Sequence, residues 1–164
     1  MTGKFINSLD HSRTLVVIRH AHRNKTSDPE TDNGLSKKGK QQAKRIQKYI
    51  IRAFAKTKPL ILSSPKKRCI ETVQPLAKAY RLSVESSDLL DEARNLQCNV
   101  DTFLLAWKKN NSNLTFICSH GDWIQVFLKK VLSTDVALDK GGWAELVLNH
   151  GKLSLRALIQ DPER

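Results

Sequence analysis

Along the chain, short continuous apolar runs alternate with longer amphipathic segments. Residues 15–18, LVVI, form a run with no polar break, the pattern of a strand covered on both faces. Residues 24–34 are polar, contain Pro29 and Gly34, and read as a loop. Ser36 suits a helix N-cap. From there Leu35, Gly39, Ala43, Ile46, Ile50 and Phe54 recur at steps of three and four, which predicts a helix with lysines on its outer face. Residues 59–62 predict a second strand. Ser64-Pro65 predicts the start of a second helix, with proline in its first turn and Ile70, Val73, Leu76, Ala77 and Tyr80 facing inward. Residues 82–85 suggest an edge strand. A helix over 100–109 would bury Phe103, Leu104 and Trp107. Residues 114–118 predict a third strongly apolar strand. A helix over 123–132 would turn Trp123, Val126, Phe127 and Val131 inward. Residues 144–148 and 152–158 read as a closing hairpin turned at Asn149-His150-Gly151.

This alternation predicts an α/β fold of three layers, a mostly parallel sheet flanked by helices. The 164 residues suffice for one domain with a core of its own. We expect an arm over 1–13, a single domain over 14–159 and a tail over 160–164. In such sheets ligands bind beyond the carboxyl ends of the strands.

Composition narrows the classes. The chain is 40% apolar and 27% charged, as in soluble globular proteins. It has no apolar run near the ~20 residues of a membrane span. The first residues hold no apolar stretch of a secretory signal, so a cytoplasmic protein without membrane contact is expected. Cys69, Cys98 and Cys118 are scattered and read as reduced, small buried residues. The formal charge of +12 favours anionic partners. Its lysines are spread over helix faces, and no zinc-finger spacing or aromatic RNA-binding stripe accompanies them, so no nucleic-acid partner is expected.

The candidate chemistry stands at three strand ends. LVVI is followed by Arg19-His20, the second strand by Ser63 to Arg68, and the third by Ser119-His120-Gly121-Asp122. Two arginines and two histidines thus reach one edge of the sheet. Burying them is costly unless something pairs with them. Phosphoryl transfer fits: arginine forks match phosphate oxygens, and a neutral imidazole can attack phosphorus. A cysteine phosphatase would need arginine six positions after a cysteine, where Pro75, Leu104 and Ile124 stand. There is no nucleophile elbow and no Walker loop. A metal hydrolase on His20-x-His22 would require a barrel of about 250 residues, so no metal is expected. Gly141-Gly142 should turn the chain into its closing strands close to the pocket.

Four segments carry a resemblance. IRHA at 18–21, GLSKKGKQQAKRI at 34–46, SSPKKRCIET at 63–72 and CSHGD at 118–122 resemble, in order, the histidine phosphatase superfamily of phosphoglycerate-mutase-like proteins. The resemblance implies that His20 is the nucleophile that becomes phosphorylated, that Arg19 and Arg68 clamp the phosphate, and that His120 completes the pocket. It implies a general acid in DLLDEARN, with Glu92 ahead of Asp91 and Asp88; Asp122 is a further alternative. No cofactor is implied. By length the chain is similar to the small SixA-type proteins, which implies a metal-independent phosphatase acting on phosphomonoesters or protein phosphohistidine. A phosphate-recognition domain of the same fold is the alternative. Two positions depart from the family pattern. Ala21 replaces a glycine where backbone approaches phosphate. His22-Arg23 replaces the usual acidic residue and threonine, and could serve the substrate side. The 24–34 loop is long enough to move over the site.

Overall fold

The computed structural model describes residues 12–26, 28, 31–92 and 94–160. Residues 1–11 of the expected arm and 161–164 of the expected tail lie outside them. The element order is β1 (Arg13–Arg19), α1 (Lys37–Ala53), β2 (Leu60–Ser63), α2 (Lys67–Tyr80), β3 (Glu85–Ser86), a 3₁₀ turn (Asp88–Leu90), α3 (Leu96–Lys109), β4 (Leu114–Ser119), α4 (Gly121–Leu132), β5 (Trp143–Asn149) and β6 (Lys152–Ile159). They build one six-stranded sheet in the order β3-β2-β4-β1-β5-β6. β3, β2, β4 and β1 run parallel, and β5 and β6 close the sheet antiparallel.

Three layers follow from the alternation of side chains along each strand. Leu15 and Val17 of β1 and Ile117 of β4 face α3 and α4, where they meet Trp107, Trp123 and Phe127. Val16 and Ile18 of β1 and Phe116 of β4 face α1 and α2, where they meet Ile46, Ile50, Val73 and Leu76. A strand covered on both sides has no polar face, which is why LVVI reads as an unbroken run. Among the described residues no helix is long and apolar enough to cross a membrane.

Several boundaries differ from the pattern, each for a local reason. Arg13, assigned to the arm, opens β1: its guanidinium donates to the carbonyls of Trp107, Lys108 and Ser112 and lies 4.3 Å over the Trp107 ring. Lys66 caps α2, so Pro65 lies ahead of the helix, and Pro75 lies inside it. β3 begins at Glu85, where it pairs with Leu62, and leaves residues 82–84 out of the sheet. α3 starts four residues earlier than expected and α4 two. In α4 the fully buried partners of Trp123 and Phe127 are Ile124 and Leu128, while Val126 and Val131 only flank the core. Phe54 falls at the C-cap of α1, and Ile70 and Tyr80 are half-buried. The closing hairpin turns through His150 (φ 49°) and Gly151 (φ 77°), left-handed in both positions as a tight two-residue turn requires. Cys69 and Cys118 are buried thiols; Cys98, expected to be buried, is exposed on α3.

The amino end of α1 fixes the segment that leaves β1. Ser36 Oγ accepts from Gly39 N at 3.1 Å, and Ser36 N donates to the His22 carbonyl at 3.0 Å. A Cβ at Gly39 would fall 1.9 Å from that carbonyl oxygen. Gly39→Ala should therefore destabilise the protein by about 2 kcal/mol or more, although an unhindered helix would gain about 1 kcal/mol from the same change. Urea denaturation reads the sign.

Candidate active site

Because β4 lies between β1 and β2, the carboxyl ends of three parallel strands are side by side. His20 follows β1, Ser64 follows β2 and His120 follows β4, and the backbone joins them there. His20 N donates to the Ser119 carbonyl at 3.1 Å, and Ser64 N to the Cys118 carbonyl at 3.0 Å. The two imidazoles meet edge to face with centroids 5.5 Å apart. They line a pocket of about 320 Å³ together with Arg19, Arg68, Glu92 and the amino end of α4 at Gly121-Asp122.

His20 is 6% exposed. Its Nδ1 lies 2.9 Å from the Ala21 carbonyl. A carbonyl only accepts, so Nδ1 carries the proton and Nε2 keeps its lone pair. Burial pushes the imidazole pKa down, to about 3; the Ala21 carbonyl opposes this, and His120, Arg68 and Arg19 add to it. At neutral pH the ring is uncharged.

Arg68, in the first turn of α2, is buried. Its Nη2 donates to Glu92 Oε1 and approaches His120 Nδ1 at 3.3 Å, and its Nη1 is 3.9 Å from Asp32. An arginine donating to Nδ1 makes that nitrogen an acceptor, so His120 Nε2 is the donor. Ser64 Oγ receives it at 2.9 Å and passes its own proton to Asp91 Oδ1 at 3.2 Å. Asp91 therefore orients His120. Arg19 donates from Nη1 to the Leu138 carbonyl at 2.6 Å. It lies against Gly121, where a Cβ would come within 2.9 Å of the guanidinium carbon. The Nε atoms of Arg19 and Arg68 are buried without a hydrogen-bond partner among the described residues.

Polar side chains that apolar periodicity passes over hold this frame. Thr72 Oγ1 accepts from Ala21 N at 2.9 Å and donates to the Arg68 carbonyl at 2.7 Å, which ties the residue after His20 to the turn that carries Arg68. Glu71 Oε2 accepts from Leu35 N at 2.7 Å. The Ala21 methyl is buried with Leu35 and Ala43, so it fills a small apolar contact of its own.

The expected site residues are not all brought together. Arg19, His20, Arg68, Glu92, His120 and Arg23 line the pocket. His22 does not: its Nδ1 is engaged by Ser36 Oγ at 2.7 Å and its N–H by Gln42 Oε1 at 2.8 Å. Asp88 begins the 3₁₀ turn, away from the pocket lining. Asp122 lines the pocket, and its Oδ1 accepts from Trp123 N at 3.0 Å. Lys25 and Lys140 line it as well and were not anticipated. Lys140 precedes the Gly141-Gly142 turn, whose Gly141 N donates to the Arg19 and His20 carbonyls at 3.2 and 3.3 Å. The placement of that glycine pair was the available signal. Among the described residues no cluster of His, Cys, Asp and Glu could hold a metal ion.

A parallel sheet ending in paired histidines and arginines defines a phosphoryl-handling class of α/β protein. The model of the histidine phosphatase superfamily (branch 1) matches residues 15–99, just over half of the 164, and the chain belongs to that superfamily. No curated protein sequence matches it. Its fold is similar to a candidate phosphohistidine phosphatase SixA from Agrobacterium tumefaciens (20% identity, TM-score 0.70, covering 90% of this chain and 97% of that one). It is also similar to a phosphoserine phosphatase mutant from Entamoeba histolytica in complex with phosphoserine (18%, 0.72, 92% and 98%). A third similar fold is a candidate alpha-ribazole-5′-P phosphatase from Escherichia coli (14%, 0.75, 91% and 97%).

The buried neutral His20 has a consequence for stability. Its folded pKa lies below the ordinary 6.5, so below that pH the unfolded chain binds a proton that the native state refuses. Stability contributed by the neutral ring is intact above pH 6.5 and falls progressively towards pH 3. His20→Gln should flatten the acid limb of a stability-against-pH curve between pH 6.5 and 3.5 by up to about one proton, measured by urea unfolding at each pH.

Proposed function

We propose that this protein is a metal-independent phosphohydrolase that works through a phosphohistidine on His20. The observation that carries the reading is the protonation of His20: Nδ1–H is committed to the Ala21 carbonyl, which leaves an Nε2 lone pair in a pocket lined by three guanidinium groups and a second imidazole. Membership of the histidine phosphatase superfamily supports phosphatase chemistry.

In this mechanism the phosphoryl group of a monoester enters between Arg19, Arg68 and His120. The arginines balance charge on its equatorial oxygens as the transition state forms. His20 Nε2 attacks phosphorus, the P–O bond to the leaving group breaks, and the phosphoryl group passes to the imidazole. The departing oxygen takes a proton from Glu92. That carboxyl group sits on Arg68 and 3.4 Å from His120 Nδ1 in the absence of substrate. An arriving phosphate competes for the same donors and displaces it towards the leaving group. Water then attacks the phosphohistidine, gives its proton to the Glu92 carboxylate, and releases phosphate and free His20. Asp91 and Ser64 hold the His120 ring through Nε2 throughout, which keeps Nδ1 on the side of Arg68 and Glu92. Phosphomonoesters and protein phosphohistidine are both substrates this chemistry accommodates, in a cytoplasmic protein.

The test is phosphate release from an aryl phosphate with chelator present. We expect wild-type turnover and a loss of about a thousandfold or more in His20→Ala. Activity surviving in that variant would rule out His20 as nucleophile. Phosphate binding without turnover by the wild type would favour a phosphate-recognition domain.

Glu92→Gln separates the acid from the clamp. Alkyl phosphates, whose alkoxide needs a proton, should slow by about a hundredfold or more. Aryl phosphates with acidic phenols should slow far less, and equal losses on both would remove Glu92 from the proton-donor role.

A further inference from the structure

Two of the three cysteines stand against the site, and the phosphohydrolase mechanism gives them no task. Cys69 follows Arg68 in the first turn of α2, and Cys118 lies on β4 two residues ahead of His120. Both are free thiols, fully buried in the layer between the sheet and the helices α1 and α2. A structural cysteine in such a layer packs against carbon and is inert. Here the surroundings are polar. Cys69 Sγ lies 3.6 Å from His120 Nε2, the nitrogen that also meets Ser64 Oγ. The Cys69 and Cys118 side chains hydrogen-bond one another.

These contacts make the two thiols unlike. Burial acts to raise the Cys69 thiol, but its hydrogen bonds with Cys118 and His120, aided by the charge of Arg68, outweigh burial and hold it below the ordinary range. Cys118 is pushed up, by burial first and then by Cys69. Cys118 therefore keeps its proton and donates it, while Cys69 accepts and has thiolate character. A thiolate is the form that attacks an oxidant, and a second thiol in contact with it resolves the product. His120 both lines the pocket and touches Cys69, which is not itself in the lining. One imidazole thus separates the sulfur from the pocket.

We propose that Cys69 and Cys118 form an oxidisable pair, a modification site at which a hydroperoxide joins the two thiols in a disulfide and reversibly disables the pocket. The Cys69 sulfur attacks one oxygen of the hydroperoxide. The O–O bond breaks, and the other oxygen takes a proton from solvent and leaves as water or an alcohol. The Cys118 sulfur then attacks the sulfenic sulfur of Cys69, the S–O bond breaks, and water leaves with the Cys118 proton. The two thiols lose two electrons and the peroxide gains them. The new bond draws the first turn of α2 towards the end of β4 and takes Cys69 Sγ from His120. Arg68 and His120 belong to those two segments, so both are displaced. The bond itself is independent of the phosphohydrolase reading; its effect on turnover rests on that reading.

The experiment starts from Cys98→Ser, which removes the exposed thiol and leaves only the pair. The folded protein is treated with hydrogen peroxide, quenched, unfolded in an alkylating agent and weighed. We expect both thiols to be lost to alkylation, the mass to fall by two hydrogens, and a peptide to appear in which Cys69 is joined to Cys118. Dithiothreitol should restore both thiols. Aryl phosphate turnover should fall by about a hundredfold, the order that a misplacement of about 1 Å costs, and return on reduction. With Cys118→Ala added, the reaction should stop at a sulfenic acid on Cys69 that dimedone labels. With Cys69→Ala added instead, Cys118 should stay reduced. Retention of both thiols overturns the pair, as does oxidation of Cys118 without Cys69, or a linkage rate that climbs with urea below the unfolding transition, the sign of oxidation through unfolded protein. A disulfide that leaves turnover intact overturns its action on the pocket. If the reduced protein turns over no aryl phosphate, the phosphohydrolase reading fails, and the mass, dimedone and urea measurements still decide the pair.

Discussion

Two guanidinium groups held beside two imidazoles at the end of a buried sheet repel one another and oppose protonation of His20, and most of the local structure answers that concentration of positive charge. Arg19 is steadied by the carbonyl of Leu138, a dipole with no net charge of its own. Arg68 shares Glu92 with His120 and has Asp32 at 3.9 Å from Nη1, so its nearest negative charge belongs to a side chain that a ligand can displace. His20 stays neutral because burial makes its protonation unfavourable. The buried Nε atoms of both arginines remain without partners among the described residues, and such atoms are costly to leave unmet. A site that satisfied every donor internally would have nothing left to offer a phosphate.

The framework that bears this cost is covalently discontinuous and mechanically continuous. Thr72 links Ala21 to Arg68, Ser64 and Asp91 link β2 to His120, and Gln42 links the exit from β1 to the entry of β5. The links run between buried or partly buried groups, where a hydrogen bond is stronger than in water and its loss is expensive. The parallel strands bring the residues near; these links set their orientation. Ala21 illustrates the division. Its N–H is part of a link, while its methyl group packs against Leu35 and Ala43, so the departure from glycine is absorbed by packing.

Much of this was legible in the sequence, for a definite reason. β1 and β4 are covered on both faces and so read as unbroken apolar runs, and their ends are marked by the abrupt change to Arg19-His20 and Ser119-His120. Helix starts were less legible because caps are polar and local: α2 begins after Lys66, and α4 begins at Gly121, before its first apolar residue. Gln42 and Thr72 escaped notice because periodicity counts apolar residues, and these are buried through hydrogen bonds. Lys25 and Lys140 were invisible as neighbours, since 115 residues separate them and only the pairing of β1 with β5 brings their segments together. His22 shows the converse. Adjacency to His20 made it a site candidate, and one turn of backbone gave it to Ser36 instead.

The closing hairpin has a use that its role in the sheet does not suggest. β5 runs antiparallel to β1, with Trp143 opposite Ile18 and Leu148 opposite Arg13, so the His150-Gly151 turn lies at the end of the sheet remote from the pocket. A Cβ built at Gly151 meets nothing within 4 Å. The tip is therefore the natural attachment point for a fluorophore or a surface tether. A label there leaves the pocket open to solvent and lets ligand exchange be followed on a single immobilised molecule.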